Sequence, residues 1–535
     1  MRLCPKHKPG AYAAVMALVA VAALLLLPKP ELLDADTYSD RIYDRNGQLL
    51  HLGLSLDDKY RIRVPLREIP PAAREALLLY EDRWFYEHPG VNPASMLRAV
   101  WQMLTGGRRQ GASTLTMQVA RIVYHIDSSS VSGKLLQIVR ALQLEIFYSK
   151  DEILEAYFNL APYGGNIEGI AAAAQVWFNT PVSRLNLPQI LTLTVIPQNP
   201  VKRSPATPAG LKNAAAAAAR LKELWREKHP VSADDDLNLP LSSGRFLPHE
   251  APHAVRRLRE TARGKIAATL DENLQKQTET ILSKYVKDNA GRGIFNAAAI
   301  LVDYKTAEVL AAVGSADFFN EKIDGQVDGT AALRSPGSAL KPFIYALALD
   351  QGLIHPRTML KDVPKNYGLY TPENFDRSFY GLVNATQALV YSRNIPAVDL
   401  LLRLEENSFY QMLEKAGVKK LKTPGYYGLA LALGGAEVSA QDLAALYAML
   451  GNGGKFRPLR WRKDEPQLPE TAMLSPEAAF LTLDMLSYNA PVDRRRLPFA
   501  KRSGTPYKVY WKTGTSYGYK DAWAAGLFGD YVLVV

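Results

Sequence analysis

Three short clusters in the second half of this 535-residue chain carry side chains suited to nucleophilic chemistry. In Ser338-Ala339-Leu340-Lys341, a helix beginning at the serine puts the lysine one turn on and on the same face. The hydroxyl then sits near the positive helix end, and a neutralised lysine can take its proton. Ser392-Arg393-Asn394 supplies a second hydroxyl and an amide. Lys512-Thr513-Gly514-Thr515 follows the strand-like Val509-Tyr510-Trp511, where glycine permits close backbone approach to a ligand. Taken singly, each has a plainer reading: a chance Ser-x-x-Lys, a turn, a strand end.

The first half carries a different chemistry. Glu81-Asp82-Arg83-Trp84-Phe85-Tyr86, then His88-Pro89-Gly90, closes a helical run and turns into a loop; a carboxylate beside aromatic rings is where a raised pKa suits a general base. Gly111-Ala112-Ser113-Thr114-Leu115-Thr116-Met117-Gln118 offers hydroxyls and backbone N–H groups for sugar or phosphate oxygens, although hydroxyls beside glycine also cap helices. Lys150-Asp151-Glu152 opens a further helical stretch that leads to Gly164-Gly165 and Gly169. The eight histidines show no metal-ligand spacing, so no metal site and no required cofactor is expected, and His88 is read as structural.

These clusters need elements to hold them, and the chain supplies three kinds. At about 100 to 200 residues per domain its length makes roughly three folded units, and 47% apolar residues make them globular. A single cysteine, Cys4, excludes a disulfide scaffold. From Pro70 to about Pro200 the spacing predicts helices over 72–80, 94–104, 133–147 and 150–159; an alanine run at 214–219 suits a surface helix. After a looser stretch, 297–303 and 308–313 read as strands, helical segments fill the middle, and 509–515, 522–528 and 531–535 read as strands again. Both ends of one domain therefore contribute to one sheet.

The N-terminus sets the compartment. Arg2, Lys6 and Lys8 precede an uncharged run from Ala11 to Leu27, at the short end of the roughly 17 to 25 residues that span a bilayer. Acidic residues follow, which places the N-terminus in the cytoplasm and everything else outside. A cleaved signal peptide is the competing reading, but Leu24 to Leu27 before Pro-Lys-Pro offers no small-residue cleavage site. The net charge of +11 favours an anionic partner, and export favours a membrane or phosphorylated substrate over nucleic acid.

The order and content of the first-half blocks resemble the peptidoglycan glycosyltransferase domain of class A penicillin-binding proteins, glycosyltransferase family 51, over about residues 40 to 225. Ser-x-x-Lys, Ser-x-Asn and Lys-Thr-Gly in this order, with Leu433-Gly434-Gly435-Ala436-Glu437-Val438 and Asn452-Gly453-Gly454, resemble the transpeptidase domain of the same proteins over about 265 to 535. The resemblance implies an α-rich, lysozyme-like first domain and an α/β second domain with an antiparallel, serine-β-lactamase-like sheet. The expected layout is a cytoplasmic tail (1–10), a transmembrane anchor (11–28), a glycosyltransferase (40–225), a connector (226–290) and a transpeptidase (291–535).

By the same resemblance Glu81 deprotonates the acceptor sugar. Asp82, Arg83, Ser113, Thr114, Gln118, Arg121, Lys134 and Lys150 bind the lipid-pyrophosphate substrate, and some relatives add a divalent cation there. Ser338 is the acylated nucleophile and Lys341 its base. Ser392 relays a proton, Asn394 orients the acyl chain, Lys512 and Thr513 hold the terminal carboxylate, and Gly514 lies between Thr513 and an oxyanion-binding N–H at Thr515. The implied partners are lipid II, nascent glycan, stem peptides, β-lactam antibiotics and the inner membrane, with the catalytic domains in the periplasm. Gln137 and Gln189 stand where the family usually has glutamates, a departure that resembles the 1C-type branch. Alternatives are a penicillin-binding scaffold with one inactive domain, or a carboxypeptidase or β-lactamase. The last residues, Tyr531 to Val535, read as a core strand, so the second domain is expected to be incomplete, its sheet only partly covered.

Overall fold

The computed structural model describes residues 24–26, 28–29, 31–34, 38–94, 113–230, 246–368, 370–406, 408–489 and 508–535. The expected helix over 94–104 and nearly all of the expected anchor lie outside these. Among the described residues no helix is long and apolar enough to cross a membrane. The chain divides into two units, Met1–Arg41 with Leu52–Pro248 and Ile42–His51 with His249–Val535.

The first unit is helical: α1 (Pro71–Glu81), α2 (Leu115–Val123), α3 (Val131–Phe147), α4 (Lys150–Leu160), α5 (Ile170–Phe178), α6 (Leu187–Val195) and α7 (Pro208–Lys228). Each boundary has a local cause. Pro71 sits in the first turn of α1, where its missing N–H costs nothing, while Thr114, Ser130, Ser149, Asn186 and Thr207 cap the helices that follow them. α2 packs on α3 and α4, and α6 lies between α1 and α7. The alanine run is not simply a surface feature: Ala214, Ala217, Ala218 and Leu221 form the buried stripe by which α7 meets the core.

The second unit starts with a hairpin, β1 (Arg41–Tyr43) and β2 (Leu49–Leu52), which in the chain falls between the two segments of the first unit. After α8 (Pro252–Thr261), β3 (Lys265–Ala267) joins β1 to complete a three-stranded sheet in the order β2-β1-β3. The reading of 226–290 as a connector is thus corrected. α7 runs through to Lys228, and Ala254, Leu258, Ile266 and Leu270 are already buried in the second unit's core. α8 carries many charges around one narrow apolar face, so composition alone misrepresents it. Next come α9 (Glu272–Asn289), β4 (Ala299–Asp303), β5 (Glu308–Val313), α10 (Lys341–Asp350), β6 (Met359–Asp362), β7 (Gly381–Asn384), α11 (Asn394–Arg403), α12 (Ala440–Gly451) and α13 (Pro476–Leu486). The chain then enters β8 (Val509–Thr515), β9 (Ala522–Phe528) and β10 (Tyr531–Val534).

The main sheet is antiparallel in the order β8-β9-β10-β4-β5, with Lys512 opposite Ala525 and Val532 opposite Val302. Strands from the two ends of the unit do meet, and β10 lies inside the sheet with Val532 and Val534 fully buried. On one face α12 covers β4, β9 and β10, and α10 packs behind it on α11 and α13; on the other, α9 lies against β5. β8 is an edge strand. Its free side faces the turn that carries Ser338.

Candidate active sites

In the first unit, α1 ends at Glu81 because Asp82 leaves helical geometry, with φ −158°. Glu81 Oε2 accepts from Gln118 Nε2 at 2.9 Å, whereas Oε1 is buried with no partner among the described residues. Burial raises the carboxyl above its ordinary range; the Gln118 amide, Arg203 and Arg121 oppose this, and Asp82 reinforces it. Gln118 is aimed by α2, whose cap Thr114 accepts from Met117 N at 3.2 Å and donates to Gly90 O at 2.5 Å. Asp82 is a fastener rather than an open substrate ligand: its carboxylate accepts from Leu115 N at 3.0 Å, at the positive end of α2, and meets His88 Nε2 at 3.0 Å. Gly90, at φ +81°, tolerates no side chain, since a Cβ there lies 2.7 Å from Glu145 Cγ.

The expected cations divide. Lys134 Nζ donates to Ser113 Oγ at 2.7 Å and to Gln137 Oε1 at 2.9 Å; burial and nearby Arg121 lower its pKa. Arg121 acts electrostatically on Lys134 and on Glu81 alike. Lys150 instead turns inward, donating to Glu145 Oε1 at 2.8 Å and His88 O at 2.7 Å with its nitrogen over the Phe85 ring. Arg83 is exposed along a groove of about 780 Å³ lined also by Arg74, Trp84, Tyr86 and Lys228. Neither contacts Glu81. Arg203, held by Tyr80 Oη and Val195 O, faces Glu81, and no motif spacing points to it.

The two glutamines have separate physical roles. Gln137 is buried and donates to Met117 O at 2.6 Å, a bond an ionised glutamate cannot make. Gln189 completes a capping box with Asn186 at the start of α6, a position where Glu and Gln serve equally. Among the described residues no group of three or more His, Cys, Asp or Glu side chains is placed to hold a metal ion.

In the second unit the three motifs converge. Ser338 lies in a 3-10 turn, Gly337–Leu340, and α10 proper begins at Lys341, so the two side chains are joined by a tighter turn than the expected α-helix. Lys341 is wholly buried and its Nζ donates to Ser392 O at 2.7 Å, Arg393 O at 3.2 Å and Asn394 Oδ1 at 2.6 Å. Burial, then Lys512 and Arg393, hold its pKa well below the ordinary lysine value. Ser392 adopts φ +59°, the left-handed region, which sets its hydroxyl toward β8; Lys512 Nζ donates to that Oγ at 2.9 Å. Lys512 is itself buried, which brings its pKa down to about 8.

Glycines let backbones touch. A Cβ on Gly514 would stand 2.0 Å from Pro336 O, and one on Gly337 2.3 Å from Thr515 O. This packing sets the Thr515 N–H beside the Ser338 turn. Gly434 closes the turn from the third side, and Ser335 Oγ donates to its carbonyl at 2.7 Å.

Behind this cluster is a buried ion pair that the motif reading passes over. Arg393 Nε donates to Asp362 Oδ2 at 2.8 Å, its second nitrogen to Asp376 at 2.9 Å, and its plane lies 4.0 Å from the Tyr380 ring. Asn374 links Asp362 to Asn394: it donates to the first at 2.7 Å and accepts from the backbone N–H of the second at 2.7 Å. The central residue of Ser-Arg-Asn is the anchor for the two that flank it. No sequence signal points to this pair, because the partner Asp362 lies 31 residues away.

Two family models match in sequence order, Transglycosylase over residues 47–227 and Penicillin binding protein transpeptidase domain over residues 297–528. The chain belongs to the class A penicillin-binding proteins, in which both domains share one polypeptide. Within that class it is 39% identical to penicillin-binding protein 1C of Escherichia coli strain K12, over 89% of this chain and 61% of that one. It is 31% identical to penicillin-binding protein 1F of Bacillus subtilis strain 168, over 78% of this chain and 60% of that one. The chain thus spans about three fifths of the length of these curated relatives. The crystal structure of penicillin-binding protein 1A from Haemophilus influenzae shares the fold, with a TM-score of 0.51 at 16% identity, over 93% of this chain and 87% of that one.

Proposed function

We propose that the chain is a bifunctional peptidoglycan synthase that polymerises lipid II disaccharides into glycan strands and cross-links their stem peptides. The observation that carries this reading is the wholly buried Lys341 beside Ser338, poised against Ser392 and Asn394. A neutral amine there donates to two of its three acceptors, Ser392 O and Asn394 Oδ1, gives up the longer bond to Arg393 O, and keeps a lone pair for the serine proton. Ser338 Oγ then attacks the carbonyl of the D-Ala-D-Ala bond, and the Ser338 and Thr515 N–H groups receive the oxyanion. The proton reaches the leaving amine through Ser392, the terminal D-Ala departs, and an acyl-serine ester remains. A second stem peptide's amine attacks the ester, forms the cross-link and restores the serine. Lys512 and Thr513 hold the donor's carboxylate, and a β-lactam ring is opened by the same attack.

In the first unit, Glu81 takes the acceptor hydroxyl's proton and the oxygen displaces the lipid pyrophosphate from the activated sugar. Arg121 and Lys134 meet the leaving group's charge. The raised pKa of Glu81 suits a base working near neutrality. An anchor over 11–28 in the inner membrane, with the N-terminus cytoplasmic and both units in the periplasm, brings the first unit to its lipid substrate; the basic residues before that run and the acidic ones after it support this orientation.

Two assays test the two halves. Labelled penicillin is expected to acylate the wild type and not Ser338→Ala; a wild type that takes no label identifies a scaffold. Polymerisation of purified lipid II is expected to fail in Glu81→Gln, and undiminished polymer would sink the glycosyltransferase assignment.

A further inference from the structure

The walls of the transpeptidase site meet twice. At the base, Lys512 of β8 reaches Ser392. At the outer end, Phe375 and Tyr519 approach edge-on, with centroids 5.6 Å apart and planes at 70°. Both rings are largely bare, Phe375 71% and Tyr519 75% exposed, so burial does not explain the contact.

Both rings are held from behind. Glu373 O accepts from Asn394 Nδ2 at 2.6 Å and Asn374 Oδ1 from Asn394 N at 2.7 Å, which fixes the Phe375 segment to the residue that orients the acyl chain. Tyr519 caps the turn between β8 and β9. Asp521 N donates to Ser516 Oγ at 2.8 Å, and Ser516 N to Asp521 O at 3.0 Å, closing the turn's base. At its tip Gly518 and Tyr519 both take positive φ, +75° and +59°, a conformation tyrosine rarely adopts. A strained tyrosine on a pinned turn, four residues beyond Thr515, is aimed by the fold rather than left in solvent.

The Phe375 segment is tied to Asn394 and Tyr519 stands on the turn that follows β8, so the two rings flank the two elements between which the transpeptidase reading holds the donor chain. We propose that Phe375 and Tyr519 form an aromatic clamp that opens to admit the donor and closes on the side chain of the residue preceding the scissile dipeptide. The clamp takes donors whose side chain there presents an aliphatic or aromatic surface. This inference rests on the transpeptidase reading.

The test compares acylation rate constants of the full chain for benzylpenicillin and 6-aminopenicillanic acid, which share the reactive ring and differ in the acyl side chain. Phe375→Ala and Tyr519→Ala are each expected to lower the benzylpenicillin to 6-aminopenicillanic acid ratio about tenfold, as for a lost apolar contact. The double variant should be little worse than either single one, because half a clamp grips nothing, and Tyr519→Phe should retain the wild-type ratio. An unchanged ratio overturns the clamp, including the case where both rates fall together through misfolding, as does strict additivity. Failure of the underlying reading looks different: neither compound labels the wild type, or Ser338→Ala labels as well as it does.

Discussion

The two sites solve the placement of charge in opposite ways. In the second unit the reactive cluster is sealed: Lys341 and Lys512 are buried, each amine meets named acceptors, and a buried arginine–aspartate pair braces the floor. In the first, Glu81 has one amide partner, one oxygen with no partner among the described residues, and cations that act on it only through the field. A small, repeated peptide bond can be met by a rigid socket. On the proposed function, a growing polymer on a lipid pyrophosphate has to enter, react and slide, which suits a base tuned by environment and not locked by contacts.

The sharpest way to break this contrast is at its centre. Replacing Lys341 with Met should slow acylation by about 10²- to 10⁴-fold, the usual worth of a positioned base; a loss under tenfold, measured with labelled penicillin, would show the socket is not needed. Breaking the brace comes next. Asp362→Ala removes the buried partner of Arg393 Nε and leaves the guanidinium only the more exposed Asp376; losing one partner of a buried pair typically costs up to about 3–5 kcal/mol. Thermal unfolding should show the second unit melting earlier while lipid II polymerisation below that temperature persists.

A pH profile sharpens the comparison further. Lys512 is charged below about pH 8 and loses its proton above it, so kcat/KM for carboxylate-bearing donors should fall on the alkaline side from about pH 8. Lys341 has the opposite requirement, since only its neutral form accepts the serine proton, and it sets the acid limb. Lys512→Arg keeps its charge throughout and should abolish the alkaline limb; a limb that stays put assigns it to another group. In the first unit, removing Gln118 withdraws the bond that favours ionised Glu81. Gln118→Ala should therefore move the acid limb of polymerisation to higher pH with a modest fall in the maximum. The smallest effect is expected for Gln189→Glu. The capping box accepts either residue, so stability should stay within about 0.5 kcal/mol and activity should not change.

What could be read from residues alone follows the same divide. The strands of the main sheet are legible because apolar runs bounded by turns need no distant partner to be recognised; β5, β8 and β9 have the expected limits. The Ser, Lys, Asn and Thr of the second site are legible by type and order. Roles that depend on a distant partner are not. Lys150 looks like a ligand for phosphate until Glu145 and His88 are seen to hold it, and Arg203 has no neighbourly spacing to betray it. Asn186-x-x-Gln189 opening an apolar run is a capping-box pattern, so the local role of Gln189 is legible without a distant partner.

The hairpin at residues 42–51 belongs to the second unit yet is made before residues 52–248, the bulk of the first. β1 is translated early, and the strand that pairs with it, β3, starts only at Lys265. At roughly 5–20 residues per second, the ribosome delivers that partner on the order of 10 to 45 seconds later. Until then the hairpin has an open edge, and the helical unit has time to fold as a closed loop between two pieces of its neighbour. The order of synthesis thus favours completing the helical unit before the second unit's sheets can be assembled.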